Sequence, residues 1–312
     1  PPVTWSETKN IRWKTTLPGK GHSTPVVWDK RVFITATQSK GKTLPVPDQP
    51  KGAHNNLDPT HKLSFLVLCL DYGKGTILWQ KEVRLAQPHQ STHESGTWAS
   101  ASPVTDGERI YAFFGSNGLY CLDSNGSVLW EKDLGDMQVK HGHGEGASPA
   151  LHGETLVVNW DHEGDSFVVA LDKRSGKERW RKSRDEPSSW VTPIIVEIDG
   201  KPQAIVSGTG AIRGYDLKTG EIIWFCGGLS NNVVASPVYA DGVLYAGSSY
   251  EIQAMLALRL SGAKGNLAET DRVLWTRHQR TPYVPSPLLL GKYLYFLRHY
   301  QPILTRVEAQ TG

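Results

Sequence analysis

Val169-Ala170-Leu171-Asp172-Lys173-Arg174-Ser175-Gly176-Lys177-Glu178-Arg179-Trp180 reads as two short strands joined by a tight turn. An apolar run ends on an aspartate, a glycine follows four residues later, and a tryptophan closes the second run after four more. Glycine tolerates the positive φ that such a turn demands. An aspartate at the turn entry can accept hydrogen bonds from turn amides. The indole brings a large flat surface to bury and one N–H to satisfy.

The pattern recurs along the chain. Gly214-Tyr215-Asp216 leads through Gly220 to Trp224 with the same spacing, and Cys69-Leu70-Asp71 leads through Gly75 to Trp79. The copy from Cys121-Leu122-Asp123 to Trp130 is one residue shorter. Trp79, Trp130, Trp180, Trp224 and Trp275 follow one another at 51, 50, 44 and 51 residues. The step from Trp13 to Trp79 is 66 residues, because residues 38–62 read as an insertion.

A second marker keeps step with the first. Ser or Thr, then Pro, then an apolar residue occurs at Thr24-Pro25-Val26, Ser102-Pro103-Val104, Ser148-Pro149-Ala150, Thr192-Pro193-Ile194, Ser236-Pro237-Val238 and Ser286-Pro287-Leu288. Between the markers lie a strand, a turn such as Asp106-Gly107 or Asp241-Gly242, and an aromatic-rich strand such as Arg109 to Phe114. Units of this size with four short strands (A to D) predict an all-β chain, a β-propeller with six repeat units present. The whole of residues 1–312 is read as one propeller domain. Asn10-Ile11-Arg12-Trp13 looks like a lone D strand, so residues 10–16 are expected to supply strand D of the closing blade.

Composition narrows the function classes. Charged residues make up 21% and hydrophobic ones 38% of 312 residues, which excludes a disordered chain. The longest clean apolar run, Phe65 to Leu70, is too short to cross a bilayer as a helix, so no transmembrane segment is expected. A net charge of +3 excludes a strongly electrostatic nucleic-acid binder. Three cysteines, an odd number, leave no complete disulfide framework. The chain opens Pro1-Pro2 with no methionine or signal segment, and truncation at both ends is expected.

The C–D segments resemble the tryptophan-docking repeat of the pyrroloquinoline-quinone-like (PQQ-like) propeller family. That family includes quinoprotein dehydrogenases and BamB-type scaffolds. The resemblance implies structural roles for Asp71, Trp79, Asp123, Trp130, Asp172, Trp180, Asp216, Trp224 and Trp275. It also implies seven or eight blades in a full-length member, and a periplasmic or extracellular location. It implies no single function.

Strand order places the D–A and B–C connections on one face, and that face collects the unusual residues. They include His54, His61, His89, His93, Trp98, Trp190 and His299. The third unit is densest, with His141-Gly142-His143-Gly144-Glu145 in one loop and Asp161-His162-Glu163-Gly164-Asp165 in another. The candidate ligand-binding residues are His141, His143, Glu145, Asp161, His162, Glu163, Asp165, Trp98 and Trp190. Imidazole with carboxylate suits a divalent metal, with His141, His143 and His162 as its candidate ligands. Residues i and i+2 of an extended chain share a side, which would let His141 and His143 share a ligand.

Quinone chemistry sets sharper requirements. The resemblance implies PQQ held between a tryptophan and a vicinal disulfide, Ca²⁺ bound by Glu and Asn, and an aspartate base. No two cysteines are adjacent here, and Cys69 and Cys121 occupy the repeat position of Ala170 and Gly214, where a small buried residue is expected. The leading expectation is a non-catalytic binding or scaffold propeller outside the cytoplasm, holding a protein, glycan or small ligand on the D–A/B–C face. The alternative is a PQQ- or metal-dependent oxidoreductase using the same face.

Overall fold

The computed structural model describes residues 2–298 and 301–312. His299, one of the candidate loop histidines, lies outside the described residues. The chain forms two compact units: Pro1–Asp136 with His141–Glu145, and Met137–Lys140 with Gly146–Gly312.

The first unit holds two four-stranded antiparallel sheets. One is Val26–Trp28, Arg31–Lys40, Lys62–Asp71 and Ile77–Ala86. The other is Val104–Thr105, Arg109–Phe113, Leu119–Asp123 and Val128–Lys132. The second unit begins with Ala150–His152, Thr155–Trp160, Phe167–Asp172 and Glu178–Ser183. Next come Ile194–Ile198, Lys201–Val206, Ile212–Asp216 and Ile222–Cys226. Val238–Ala240, Val243–Ser248, Ala254–Arg259 and Val273–Arg277 form the third sheet. Leu288–Leu290, Tyr293–Leu297 and Leu304–Glu308 form the last, which has three strands. Every one of these sheets runs in chain order, strand beside successive strand, as the four-strand repeat predicts.

Strands B and C carry the core. Lys62–Asp71 is buried from Leu63 to Leu70, and Phe167–Asp172 from Phe167 to Leu171. Both faces of a middle strand are covered, so these strands read as continuous apolar runs instead of alternating ones. Strand D is the more exposed one, as in Glu178-Arg179-Trp180-Arg181-Lys182, where only Trp180 is buried among charged residues.

The tryptophans hold a recurring position. Each faces a small partner across the C–D ladder: Trp79 opposite Cys69, Trp130 opposite Cys121, Trp180 opposite Ala170, Trp224 opposite Gly214 and Trp275 opposite Ala257. The expectation that Cys69 and Cys121 are small buried residues is met in the ladder. A bulge recurs beside the tryptophan in each of these ladders. An extra residue there bends and twists the strand locally.

Four indoles then reach the next turn in sequence. Trp13 Nε1 donates to Tyr72 O at 2.9 Å, Trp79 to Ser124 O at 3.0 Å, Trp180 to Leu217 O at 2.9 Å and Trp275 to Ala309 O at 2.9 Å. Gly220, at φ +74°, lies so close under Trp180 that a Cβ would sit 2.6 Å from the indole. Trp224 departs from this pattern and donates to Gln203 Oε1 instead, fully buried. The segment between Arg259 and Val273 is long there, and its Gly265–Asn266 pairs parallel with Trp224 and Phe225.

The Ser/Thr-Pro markers also bond to one another. Thr24 N donates to Ser102 Oγ, Ser148 N to Thr192 Oγ1, Thr192 N to Ser236 Oγ and Ser236 N to Ser286 Oγ, at 2.9–3.0 Å. A hydroxyl placed once per repeat satisfies a backbone amide of the preceding repeat.

Residues 10–16 have no assigned strand. Trp13 is seated over Gly75 as Trp180 is over Gly220. The paired strands flanking the insertion stop at Lys40 and resume at Lys62.

Candidate functional site

In the first unit the insertion folds back onto the loop that follows the first sheet. Asn56–Leu57 pairs antiparallel with Thr92–His93. The loop His141–Glu145 is laid against this pair. Asn56 Nδ2 donates to His141 O at 2.8 Å, Ser91 Oγ to Gly142 O at 2.8 Å and His93 N to His143 O at 3.1 Å. Gly142 is required by this packing, because a Cβ there would lie 2.6 Å from Ser91 Oγ.

Four imidazoles meet as a result. His143 has ring centroids of His93 at 4.8 Å, His54 at 4.9 Å and His141 at 5.4 Å, and His54 lies 5.0 Å from His141. The pairing of His141 with His143 arises from a turn, with His141 at φ +57°, and not from the extended chain assumed from sequence. His54 Nδ1 lies 2.7 Å from Gly52 O, which puts its proton on Nδ1 and a lone pair on Nε2. His93 Nδ1 accepts Ser95 N–H at 3.1 Å, which puts its proton on Nε2. His141 Nδ1 and His143 Nε2 are buried without a hydrogen-bond partner. Burial, with His93 and His54 alongside, pushes His143 down to about 4, so its ring is neutral at neutral pH.

Glu145 turns away from the imidazoles. It accepts from Ser116 N at 2.6 Å and from the Ser116 hydroxyl at 2.5 Å. Burial raises its pKa above the ordinary carboxylate value. Trp98 is held by its Nε1, which donates to Gln90 O at 2.9 Å.

In the second unit the acidic loop is built differently from a solvated one. Asp161 and Arg184 have fully buried side chains. Arg184 Nε donates to Asp161 Oδ1 at 2.7 Å and Nη2 to Oδ2 at 3.1 Å, while Ser189 Oγ donates to Oδ2 at 2.7 Å. Arg184 Nη1 also donates to Tyr215 Oη at 2.7 Å. Burial alone would lower the guanidinium pKa, but Asp161 and Tyr215 outweigh it and raise it. Nearby, the buried Glu186 accepts from Gly210 N, Ala211 N and Arg213 Nη1.

The other candidates of this loop are also engaged. His162 Nδ1 accepts Gln138 N–H at 3.0 Å, and Glu163 Oε1 accepts Ser188 N–H at 3.1 Å. Asp165 lines a cavity of about 730 Å³ with Arg181, Arg184 and Asp185. Trp190 donates its backbone N–H to Val233 O and packs against Gly146.

The candidate cluster of the third repeat is therefore divided. His141, His143 and Glu145 belong to the first unit, where His54 and His93 join the two histidines; Asp161, His162, Glu163 and Asp165 belong to the second. Of the three candidate metal ligands, His141 and His143 meet His54 and His93, while His162 accepts at Nδ1 from Gln138 N–H. Arg184, Glu186 and Arg213 were not singled out from sequence. The only signal was a charged run, Arg184-Asp185-Glu186, in a loop expected to be solvated.

The residues present do not fit the quinone site that the resemblance implies. Cys69, Cys121 and Cys226 are free, buried and far apart in sequence. Burial raises Cys69 to about 11 and Cys121 to about 12. Asp161 is engaged by Arg184 and Ser189. Among the described residues no group of three or more His, Cys, Asp and Glu is placed so that it could hold a metal ion, and no helix is long and apolar enough to cross a membrane.

A family model described as outer membrane protein assembly factor BamB matches residues 64–312. Two methanol dehydrogenases of Methylorubrum extorquens match shorter stretches. The lanthanide-dependent enzyme is 31% identical over 70 residues, 20% of this chain and 12% of that protein. Subunit 1 of the cytochrome c enzyme is 28% identical over 144 residues, 39% of this chain and 22% of that protein. Among solved structures, BamB from Moraxella catarrhalis aligns with a TM-score of 0.50 at 19% identity, over 80% of this chain and 71% of that one. A europium-containing methanol dehydrogenase aligns with a TM-score of 0.58 at 10% identity, over 92% and 69%. At these identities the likeness is one of fold, the β-propeller, and carries no activity with it.

Proposed function

The chain belongs to the family described as outer membrane protein assembly factor BamB, and we propose that it is a non-catalytic binding propeller whose D–A/B–C loop face holds a protein partner. The observation that carries this reading is the commitment of the loop carboxylates. Asp161, Glu163 and Glu186 in the second unit, and Glu145 in the first, each accept hydrogen bonds from another loop of the same unit. A general base needs a lone pair within reach of a substrate proton. These lone pairs instead fix loop shape, as a rigid recognition surface requires. The propeller is proposed to work outside the cytoplasm.

The competing reading is a quinoprotein oxidoreductase, favoured by the methanol dehydrogenase matches. Two measurements separate them. A photo-crosslinking residue at Asp165 or Glu251, on the B–C loops, is expected to give one discrete protein adduct in the native host. The same residue at Asp241 or Lys292, on A–B turns, is expected to give none. Purified protein supplied with PQQ and Ca²⁺ is expected to leave an electron-accepting dye unreduced across alcohols and sugars. Saturable, PQQ-dependent dye reduction would overturn the proposal.

A further inference from the structure

We propose that Arg280 and Arg298, with Arg277 beside them, form a pocket for the carboxylates of an acidic segment of the partner protein. This rests on the binding-platform reading and names the chemistry of the partner.

The fold brings these residues to one place. Arg277 ends the strand Val273–Arg277, and Arg280 lies in the D–A loop that follows. Arg298 and Gln301 lie in the B–C loop after Tyr293–Leu297, and Gln253 in the B–C loop after Val243–Ser248. All belong to the second unit. Thr281 is buried, and its Oγ1 donates to Ser248 O at 3.2 Å. Pro282 forms a backbone bridge with Arg298. These contacts set Arg280 beside Arg298, and the two line a cavity of about 260 Å³ with Gln253 and Gln301. Arg280 also lines a second cavity, of about 400 Å³, with Arg277.

The guanidiniums are held in place but not neutralised. Arg277 Nε donates to Gln279 O at 2.8 Å and Nη1 to Gly312 O at 2.7 Å, and Arg298 Nε donates to Thr305 Oγ1 at 2.8 Å. Arg179, Arg181, Arg184 and Arg213 each pair with a carboxylate. Among the described residues no Asp or Glu pairs with Arg277, Arg280 or Arg298. Burial, and then the charges of Arg280 and Arg298, push Arg277 below the ordinary guanidinium value. Arg280 has φ +54°, a left-handed conformation uncommon for a residue with a side chain. Such a conformation persists where the surroundings hold it, and here Thr281 and Pro282 do so.

A guanidinium meets a carboxylate with two parallel N–H···O bonds. Gln253 Oε1 accepts Thr281 N–H at 3.4 Å, which leaves its Nε2 donors for the cavity. Positive charge and donors together fit an anion. At about 260 Å³ the cavity is smaller than pockets that enclose a whole small molecule, and it suits side chains presented by a larger body. A net charge of +3 argues against a nucleic-acid backbone as that body.

The test uses the full chain and a fluorescein-labelled hexaglutamate peptide, read by anisotropy. Saturable binding is expected, weaker as salt is raised. Arg280→Gln and Arg298→Gln are each expected to weaken it about tenfold. Arg280 is exposed, so Arg280→Gln is expected to leave the melting curve unchanged. Lys292→Gln, an equal loss of charge on an A–B turn, is expected to bind as the parent does. No saturable binding by the parent, equal weakening by Lys292→Gln, or tighter binding of inorganic phosphate than of the peptide would overturn the proposal. The crosslink at Glu251 in the native host is a separate readout. An adduct there with no peptide binding leaves the partner reading standing and removes only its acidic class. Absence of the adduct removes the partner reading, whatever the peptide does.

Discussion

Asp161 and Arg184 form a buried ion pair whose every strong donor and acceptor is placed. Two guanidinium bonds, the Ser189 hydroxyl and the Tyr215 hydroxyl hold it together. Removing one partner leaves the other charged and buried without its counter-charge, which typically costs about 3–5 kcal/mol. Asp161→Ala is expected to lower the urea-unfolding free energy by that order. A change within about 0.5 kcal/mol, the range of ordinary surface substitutions, would mean that the pair is not the clamp described. The burial of Asp161 was not legible in the sequence. Its local run, Asp161-His162-Glu163-Gly164-Asp165, has the polarity of a solvated loop, and its partner lies 23 residues away. His54 was hidden for the same reason, since only the folded insertion brings it to His141.

Turns are governed by local chemistry, and at this scale the sequence was readable. Asp172 Oδ1 accepts from Arg174 N, Ser175 N and Ser175 Oγ at 2.9–3.1 Å, and Oδ2 from Arg179 at 2.8 Å. Asp216 collects Lys218 N and Thr219 N in the same way. The bond from Arg179, with those from the turn, holds Asp172 at about 2, below the ordinary 3.8. The sign follows directly. The folded state binds the proton less readily than the unfolded one, so this contribution is present above about pH 4 and is lost as pH falls through 2. Between pH 5 and 2 the thermal midpoint of the parent is expected to fall further than that of Asp172→Asn. Parallel midpoint curves for the two would contradict this. Trp13 docks on the Tyr72–Gly75 turn as Trp180 docks on the turn at Leu217 and Gly220, although residues 10–16 have no strand neighbour to bond to.

Across the whole molecule, the repeat was legible because it is written twice, in the tryptophans and in the Ser/Thr-Pro markers. The hydroxyls of Ser102, Thr192, Ser236 and Ser286 each serve the corresponding backbone amide of an earlier marker. A pattern that recurs for one physical reason can be found without a structure. The functional face has no such repetition. Its residues occur once each, and whether a carboxylate there is free or locked depends on partners that the fold alone supplies. Asp161, Glu163, Glu186 and Glu145 are locked in this way, which supports the proposed recognition surface.

Native mass spectrometry of the full-length protein, purified gently from its own host, tests that reading most directly. The account predicts chain alone or chain with a protein partner, carrying no quinone. A one-to-one complex retaining pyrroloquinoline quinone would contradict it.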